Sequence, residues 1–419
     1  MKFGDDARIW EHMIRRTALF FLLFAFVQLA FGQNTFITKD LSHYYNLQSE
    51  LRVFHRVVNV EGNTLLFLKL TINDDRAKIE DLVTQYAFLD GYAEELTLSQ
   101  DTVQLKDFWQ YTELNNHYFR FEIKNENADK LLVIRIDNRA TGNAFYFDLP
   151  ADPLAPIVNS GIVLKWPDQN IPFYRHYIQK NEAAAFISLS SPDSTLYGYH
   201  YSSDFKIADP PFSTSNTNVV QSINIDSAFT IQLLRPYTFN KTGLYFVQVD
   251  SSSSNGMAFR VESNPYPRQG TYEELIESLT YFTTRSEINK LMKATDKKKA
   301  FDAYWIEIAK SSDRARKIIK EYYSRVSLAN HLFSTYKQGW KTDKGMIYII
   351  YGPPDNVFRD GEREEWIYER TTQLPRINFT FINAKSIFTN DHFVLLRKSG
   401  YEQVWYKAID LWRKGLMRI

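Results

Sequence analysis

The sequence of 419 residues contains no cysteine. Its absence excludes disulfide bonds, thiolate metal ligands and a cysteine nucleophile. It also leads us to expect no lipid anchor, because lipidation after an export signal requires a cysteine to acylate. A chain of this length without disulfides must be stabilised by its hydrophobic cores, and we expect about two to four domains.

A surplus of charge is lacking as well, because 50 Lys and Arg residues stand against 49 Asp and Glu residues. Proteins that bind nucleic acid carry a basic patch or stripe, so we expect no nucleic-acid partner. The eight histidines show no metal-ligand spacing. Nucleophile elbow, HExxH, phosphate-loop and dinucleotide motifs do not occur in the sequence. We therefore predict no metal site and no cofactor, and expect a non-enzymatic role.

The first 32 residues are typical of a signal peptide. Arg15 and Arg16 precede a continuous apolar run over 18–27, which is shorter than the roughly 20 residues that span a bilayer. Small residues at Ala30 and Gly32 predict cleavage between Gly32 and Gln33. We expect the mature protein in the periplasm or outside the cell, with no membrane span; an uncleaved anchor is the alternative.

Two translation starts are compatible with this signal. Acidic residues before Met13 are unusual at the head of a signal peptide, which favours Met13 over Met1 as the start. Sequencing of an unprocessed precursor would decide between them.

Short strand-like runs separated by turn residues dominate the chain up to residue 262. Such runs are typical of β-sandwiches. Three prolines within 150–156 stiffen the chain and predict a linker. We predict a β-sandwich domain over 33–150 and a second, immunoglobulin-like sandwich over 157–262. The predicted strands are 51–60, 65–72, 131–137 and 144–149, then 161–166, 185–189, 195–201, 228–233, 243–249 and 257–261.

After Gly270 the apolar period becomes helical. Thr271 with Glu274, and Thr284 with Glu287, fit capping boxes at two helix starts. A third helix is predicted over 297–309, and a long fourth helix over 313–337 with Ser312 as its cap.

Beyond Gly339 the pattern predicts strands at 346–351, 364–369, 377–382 and 392–397, and then a C-terminal helix within 401–419. The predicted fold class is thus two all-β sandwich regions followed by an α+β domain over 270–400, in which helices lead into a small antiparallel sheet.

The stretch Gly339-Trp340-Lys341-Thr342-Asp343 carries a family resemblance. Together with the helix around 322–330, the turn at 352–355 and Glu365-Trp366-Ile367-Tyr368, it resembles the GWxTD domain. The resemblance covers about residues 270–400. It implies an exported protein of Gram-negative bacteria with β-sandwich regions ahead of the domain, and it implies no particular reaction.

Two interpretations of the motif remain open. In the first, Gly339 ends the long helix in a left-handed conformation, Trp340 packs over that end, and Thr342 and Asp343 bond backbone amides in a turn where Gly345 takes positive φ. In the second, a larger set converges on a ligand, with Asp343 and Asp355 as acid and base. The members of this candidate cluster are Trp340, Thr342, Asp343, Asp355, Arg325 and Trp366.

Three functions follow from these interpretations. The first is a non-enzymatic envelope protein whose sandwiches present the α+β domain to a protein partner. The second is binding of carbohydrate or peptidoglycan by a row of exposed aromatic side chains on one sheet face. The third is a hydrolase, which requires the carboxylates of Asp343 and Asp355 within about 10 Å of each other.

Overall fold

The computed structural model describes residues 34–60, 63–124, 127, 130–150, 155–190, 195–202, 205–214 and 223–417. The predicted signal peptide and most of the predicted linker at 150–156 lie outside these ranges. Across the described residues, the strands up to position 262 are followed by α-helices that begin at 272, as the change of apolar period predicts.

The first β region is a sandwich of two antiparallel sheets, with strand orders β1-β2-β5-β4 and β3-β6-β7. Side chains from the inner faces of both sheets share one core, which includes Leu51, Leu68, Phe119 and Phe147. Strands β3, β4 and β5 were not predicted. The strands are β1 Leu51–Val60, β2 Asn63–Ile72, β3 Leu82–Leu89, β4 Trp109–Glu113, β5 Asn116–Ile123, β6 Leu131–Asn138 and β7 Asn143–Pro150.

The second β region is also an immunoglobulin-like sandwich, with sheets ordered β13-β10-β8 and β12-β11-β14-β15-β9. Its core packs Phe186, Phe239 and Phe259 between the two sheets. The six predicted strands are all present. The bounds are β8 Ile162–Lys165, β9 Tyr177–Gln179, β10 Ala183–Ser188, β11 Thr195–Tyr201, β12 Ser227–Gln232, β13 Tyr237–Thr238, β14 Gly243–Gln248 and β15 Met257–Glu262.

The C-terminal region is α+β, with helices followed by an antiparallel sheet ordered β16-β17-β18-β19. Both predicted capping boxes are present, at Thr271 and Thr284. The fourth helix is capped by Ser311 rather than Ser312. The helices are α1 Tyr272–Ser278, α2 Arg285–Lys293, α3 Lys297–Ala309, α4 Ser312–Phe333, α5 Asp343–Tyr351 and α6 Glu402–Arg413. The strands are β16 Asn356–Arg359, β17 Arg363–Tyr368, β18 Ile377–Asn383 and β19 Phe393–Leu395.

The predicted strand at 346–351 is wrong, because this segment is the buried helix α5. Thr342 caps the first turn of α5, and all nine residues of the helix are buried. Every side of the helix therefore carries buried side chains, and the segment reads as a continuous apolar run. A short apolar run does not distinguish a buried strand from a buried helix. The first strand of the sheet is instead β16, which was not predicted.

The largest core joins the C-terminal helices and sheet to the first sandwich. Ala87, Leu89 and Val133, on the outer face of the β3-β6-β7 sheet, share this core with Trp340 and Trp366. Phe36, Leu41 and Tyr45, which precede β1, belong to it as well. The region around the motif is therefore surrounded by other parts of the chain.

Candidate functional site

The motif begins with a glycine because two backbone segments touch there. A Cβ added to Gly339 would lie 2.0 Å from the carbonyl oxygen of Ala329 in α4. A Cβ added to Gly345 would likewise lie 2.0 Å from the carbonyl oxygen of Gly339. Both predicted roles are wrong: α4 ends at Phe333, before Gly339, and neither glycine has positive φ. Close approach of the backbone is the reason for both residues.

Trp340 is fully buried and joins three segments. Its backbone N–H donates to the side-chain oxygen of Asn330 at 3.0 Å, and its indole N–H donates to Gln338 at 2.9 Å. Its carbonyl accepts a hydrogen bond from the Tyr281 hydroxyl at 2.9 Å. All polar groups of this tryptophan are thus engaged within the protein.

Thr342 caps helix α5. Its hydroxyl donates to the Gly339 carbonyl at 2.7 Å and accepts from the Gly345 N–H at 3.0 Å. An N-cap hydroxyl satisfies one of the free amides of the first helical turn. The threonine is buried, so both bonds form away from bulk water.

Asp343 connects the start of α5 to strand β19. Its carboxylate accepts the Leu395 N–H at 2.7 Å and pairs with the Arg397 guanidinium at 2.6 Å. The side chains of Asp343 and Arg397 are 2% and 7% exposed. The carboxylate is therefore engaged within the structure, by one backbone amide and one guanidinium.

The acid–base pair predicted for a hydrolase does not form. Asp343 is the first residue of α5, whereas Asp355 follows its far end, and nine helical residues rise about 13 Å. Asp355 is exposed and accepts the Glu369 N–H at 2.7 Å across the turn. The two carboxylates lie at opposite ends of the helix and share no cleft.

Arg325 and Trp366 also lie away from Trp340, so the predicted cluster is not assembled. The Arg325 guanidinium pairs with Glu321 and donates to the Ile350 carbonyl at 3.3 Å, at the C-terminal end of α5. A cation at this position is favoured by the helix dipole. Trp366 packs its ring 4.8 Å from Tyr45, in the core.

A buried charge network, which sequence reasoning missed, lies beside the motif. Glu364 pairs with Lys344 at 3.0 Å and with Arg359 at 2.7 Å. Arg359 also pairs with Asp148 of β7 at 2.7 Å, and the Tyr45 hydroxyl donates to Glu364 at 2.6 Å. The network therefore joins the first sandwich to α5, β16 and β17.

The charges of this network stabilise one another. Burial alone would raise the pKa of Glu364, but the ammonium of Lys344 and the guanidinium of Arg359 lower it to about 2. The pKa of Asp148 is lowered in the same way by Arg359 and the Tyr92 hydroxyl, against the effect of burial. Its members come from positions 45–364, so no local pattern in the sequence marks them. The one sequence signal for this network is that Lys344 directly follows the motif.

A second set of contacts ties the motif to the second sandwich. Arg260 and Glu262, both in β15, form a buried ion pair at 2.5 Å. Arg260 donates to the Tyr336 carbonyl at 2.8 Å, and Gln338 donates to Glu262 at 2.9 Å. The loop that leads into the motif is therefore held by β15.

The space next to the motif is small. A cavity of about 30 Å³ is lined by Tyr45, Thr342, Lys344, Asp391 and His392, among others. That volume accommodates about one water molecule. Among the described residues, no group of three or more His, Asp or Glu side chains is arranged to hold a metal ion. In the same part of the chain, no helix is both long and apolar enough to cross a bilayer.

Fold and site together define a protein of two β-sandwiches whose C-terminal α+β region is joined to both. Residues 243–414 match the family model described as the GWxTD domain, and the chain carries that domain. The match begins in β14 and so includes β15, which contacts the motif loop. No curated protein matches the chain significantly.

Several solved structures align with about half of the chain. The crystal structure of DIP-gamma IG1+IG2 is 10% identical, with 52% of this chain and 98% of that chain covered and a TM-score of 0.16. Three N-terminal domains of the bacteriophage RB49 Highly Immunogenic Outer Capsid protein are 10% identical, with 51% and 58% covered and a TM-score of 0.18.

Proposed function

We propose that this chain is an exported, non-enzymatic protein of the bacterial envelope that holds its modules in a fixed arrangement for a protein partner. The observation that carries this proposal is the full internal engagement of the motif. The indole of Trp340, the hydroxyl of Thr342 and the carboxylate of Asp343 all bond to other parts of the chain. A motif with these internal bonds stabilises the fold, so we expect other surfaces of the chain to contact the partner.

The contacts around the motif support a fixed arrangement. Arg359 reaches Asp148 of the first sandwich, and Arg260 of the second sandwich reaches the Tyr336 carbonyl. Breaking a buried ion pair is strongly unfavourable, so relative movement of these modules is disfavoured. A preorganised surface loses less entropy on binding than a mobile one.

The edge strand β4 is the surface that we assign to the partner. It lies at the end of its sheet, and all five of its side chains are exposed. Trp109 and Tyr111 are 50% and 38% exposed, and Leu114 just beyond the strand is 91% exposed. An open edge accepts an extended segment of another chain, and aromatic residues are enriched at interfaces. We propose that the partner adds such a segment to β4.

Affinity capture from the envelope fraction of the producing bacterium tests this proposal. The tagged wild-type chain is compared with a Trp109→Lys/Tyr111→Lys variant, whose charges block edge pairing. The control is Tyr197→Lys/Leu234→Lys, which alters two exposed apolar residues away from β4. We expect one discrete partner, retained by the control and lost by the edge variant. That partner, once purified, should bind the wild-type chain directly.

Equal capture by the wild-type chain and the edge variant would contradict the assigned surface. Export is tested separately, by the mass of the mature protein from cell envelopes. The proposal expects a chain that begins at Gln33. A full-length chain recovered from the cytosol would overturn the export part of the proposal.

Glycan binding is the second candidate, favoured by the exposed rings of β4. In β4, however, the exposed rings do not form a single row on one sheet face, because a bulge separates Trp109 from Tyr111. Trp109 lies opposite Phe119, which faces the core, whereas Tyr111 lies opposite Tyr118 on the other face. Fluorescence titration with soluble peptidoglycan fragments tests this candidate. Saturable quenching that is lost in Trp109→Ala would favour it over a protein partner.

A further inference from the structure

A large cavity lies between the two sheets of the first sandwich, with a volume of about 510 Å³. Strands β2 and β5 form one wall, with Leu66, Leu68 and Phe121, and strands β3 and β6 form the other, with Leu132 and Ile134. Pockets that bind small molecules occupy about 300–1,000 Å³ and are mostly apolar. The volume and lining of this cavity fall within that class.

The cavity occupies only one side of the sandwich. Leu51 and Phe147, at 0% exposure, close the core on the side of β1 and β7, and neither lines the cavity. Protein interiors are normally packed to the density of organic crystals, and empty apolar volume is destabilising. A space of this size on one side of an otherwise packed core indicates a place for an occupant.

The segment 99–108 forms the mouth of the cavity. Ser99 N–H donates to the Tyr86 carbonyl at 2.8 Å, and Val103 N–H donates to the Thr84 carbonyl at 2.8 Å, so the segment runs along the free edge of β3. It then passes through a short helix, Leu105–Phe108, into β4. The segment thus bridges the edges of the two sheets, and most of its residues line the cavity.

Polar groups at the mouth define what the occupant carries. Thr84 is 3% exposed and lines the cavity, and its hydroxyl has no hydrogen-bond partner among the described residues. A buried hydroxyl without a partner is unfavourable, and a ligand group can satisfy it. Two acidic residues of the mouth segment, Asp101 and Asp107, line the cavity together with one basic residue, Lys124. This excess of negative charge opposes an anionic ligand.

We propose that this cavity binds a single hydrocarbon chain that ends in an uncharged or cationic polar group. The apolar walls receive the chain, and the polar end lies at the mouth near the Thr84 hydroxyl. A cavity of 150 Å³ holds benzene, so 510 Å³ accommodates about 20 non-hydrogen atoms. This site lies in a different module from the motif, and the proposal does not rest on the partner proposed for β4.

Fluorescent-probe binding to the full mature chain tests the proposal. The neutral probe N-phenyl-1-naphthylamine should bind saturably with enhanced emission. Competitors with the same twelve-carbon chain and different head groups, used below their critical micelle concentrations, then show which polar end the cavity prefers. Dodecyltrimethylammonium and dodecyl maltoside should displace the probe at least about tenfold more effectively than dodecanoate.

Two filling variants locate the probe. Leu68→Phe and Ile134→Phe enlarge side chains of opposite walls and should weaken probe binding about tenfold or more, with an unchanged or higher Tm. The control is Leu51→Phe, which enlarges a packed position and should lower Tm without changing the affinity for the probe. The proposal is overturned if the wild-type chain binds no probe, if both filling variants bind it as tightly as the wild type, or if dodecanoate is the best competitor.

Discussion

Replacing Asp343 by Asn separates a structural role of the motif from a chemical one. The substitution preserves shape and keeps one oxygen to accept the Leu395 N–H, but it removes the charge that pairs with Arg397 at 2.6 Å. The guanidinium of Arg397 would remain 7% exposed without its carboxylate. Breaking a buried pair from one side costs about 3–5 kcal/mol. We expect about 3 kcal/mol, because the amide retains the backbone hydrogen bond.

Urea unfolding followed by tryptophan fluorescence measures this loss. Trp305, Trp340, Trp366 and Trp412 are fully buried in the C-terminal region, so the signal reports on the domain that contains Asp343. With a slope of about 1–3 kcal/mol per molar urea, a loss of about 3 kcal/mol moves the midpoint by about 1–3 M.

The matched control is Asp313→Asn, whose carboxylate is 85% exposed and lies 3.5 Å from Arg316. An exposed pair contributes about 0–1 kcal/mol, so this variant should unfold close to the wild type. An Asp343→Asn variant that also unfolds within about 1 kcal/mol of the wild type would refute a structural role for this ion pair. Loss of partner binding without loss of stability would assign the carboxylate to a contact surface instead.

Further predictions concern the same region and use the same unfolding assay. Gly339→Ala should lower the free energy of unfolding by more than about 4 kcal/mol, because its Cβ would lie 2.0 Å from a carbonyl oxygen. Gly400→Ala, with nothing within 4 Å of the added Cβ, should be nearly neutral. Equal effects of the two substitutions would contradict the close backbone approach at Gly339. Thr342→Val should cost about 1–2 kcal/mol through loss of the helix cap, and Thr342→Ser should restore most of it; a Ser variant as unstable as the Val variant would argue against capping. The folded-state pKa of Glu364, about 2, lies below its ordinary value of 4.5. The contribution of its carboxylate to the free energy of unfolding is therefore complete above pH 4.5 and is lost as the pH falls toward 2. Glu364→Gln should unfold more easily at pH 7 and show a smaller decline in the urea midpoint below pH 4.5. Burial lowers the pKa of His392 from 6.5 to about 3. Its neutral form therefore stabilises the fold fully above pH 6.5, and this contribution falls as the pH is lowered. A urea midpoint that does not change between pH 7 and 4.5 would contradict this contribution.

The sequence predicted local structure well where a local pattern determines it. Capping boxes at Thr271 and Thr284 depend on residues three apart, and both are present in the structure. The strand Leu51–Val60 was predicted with the bounds that the structure shows. The helix α5 was predicted as a strand, because its surroundings bury every side and leave no polar stripe to reveal the helical period.

The candidate site was predicted only in part. Thr342 bonds a backbone amide of its own turn, as predicted, whereas Asp343 accepts the Leu395 N–H of β19 instead of an amide in the turn. The ion pair of Asp343 with Arg397 was not predicted, because Arg397 lies 54 positions away in the chain. The proposed meeting of Asp343 and Asp355 required the turn at 352–355 to direct Asp355 back toward Asp343. The nine-residue helix α5 places the two residues at its opposite ends instead.

By itself, the sequence determined the order of two β regions and one α+β region, the absence of disulfides and the location of the motif. These properties depend on composition and on patterns within about twenty residues. Only the tertiary structure decided that α5 is a helix, that Asp148, Arg359, Glu364 and Lys344 form one buried network, and that the first sandwich contains a cavity. The physical reason is that burial, ion pairing and packing density depend on which distant segments meet.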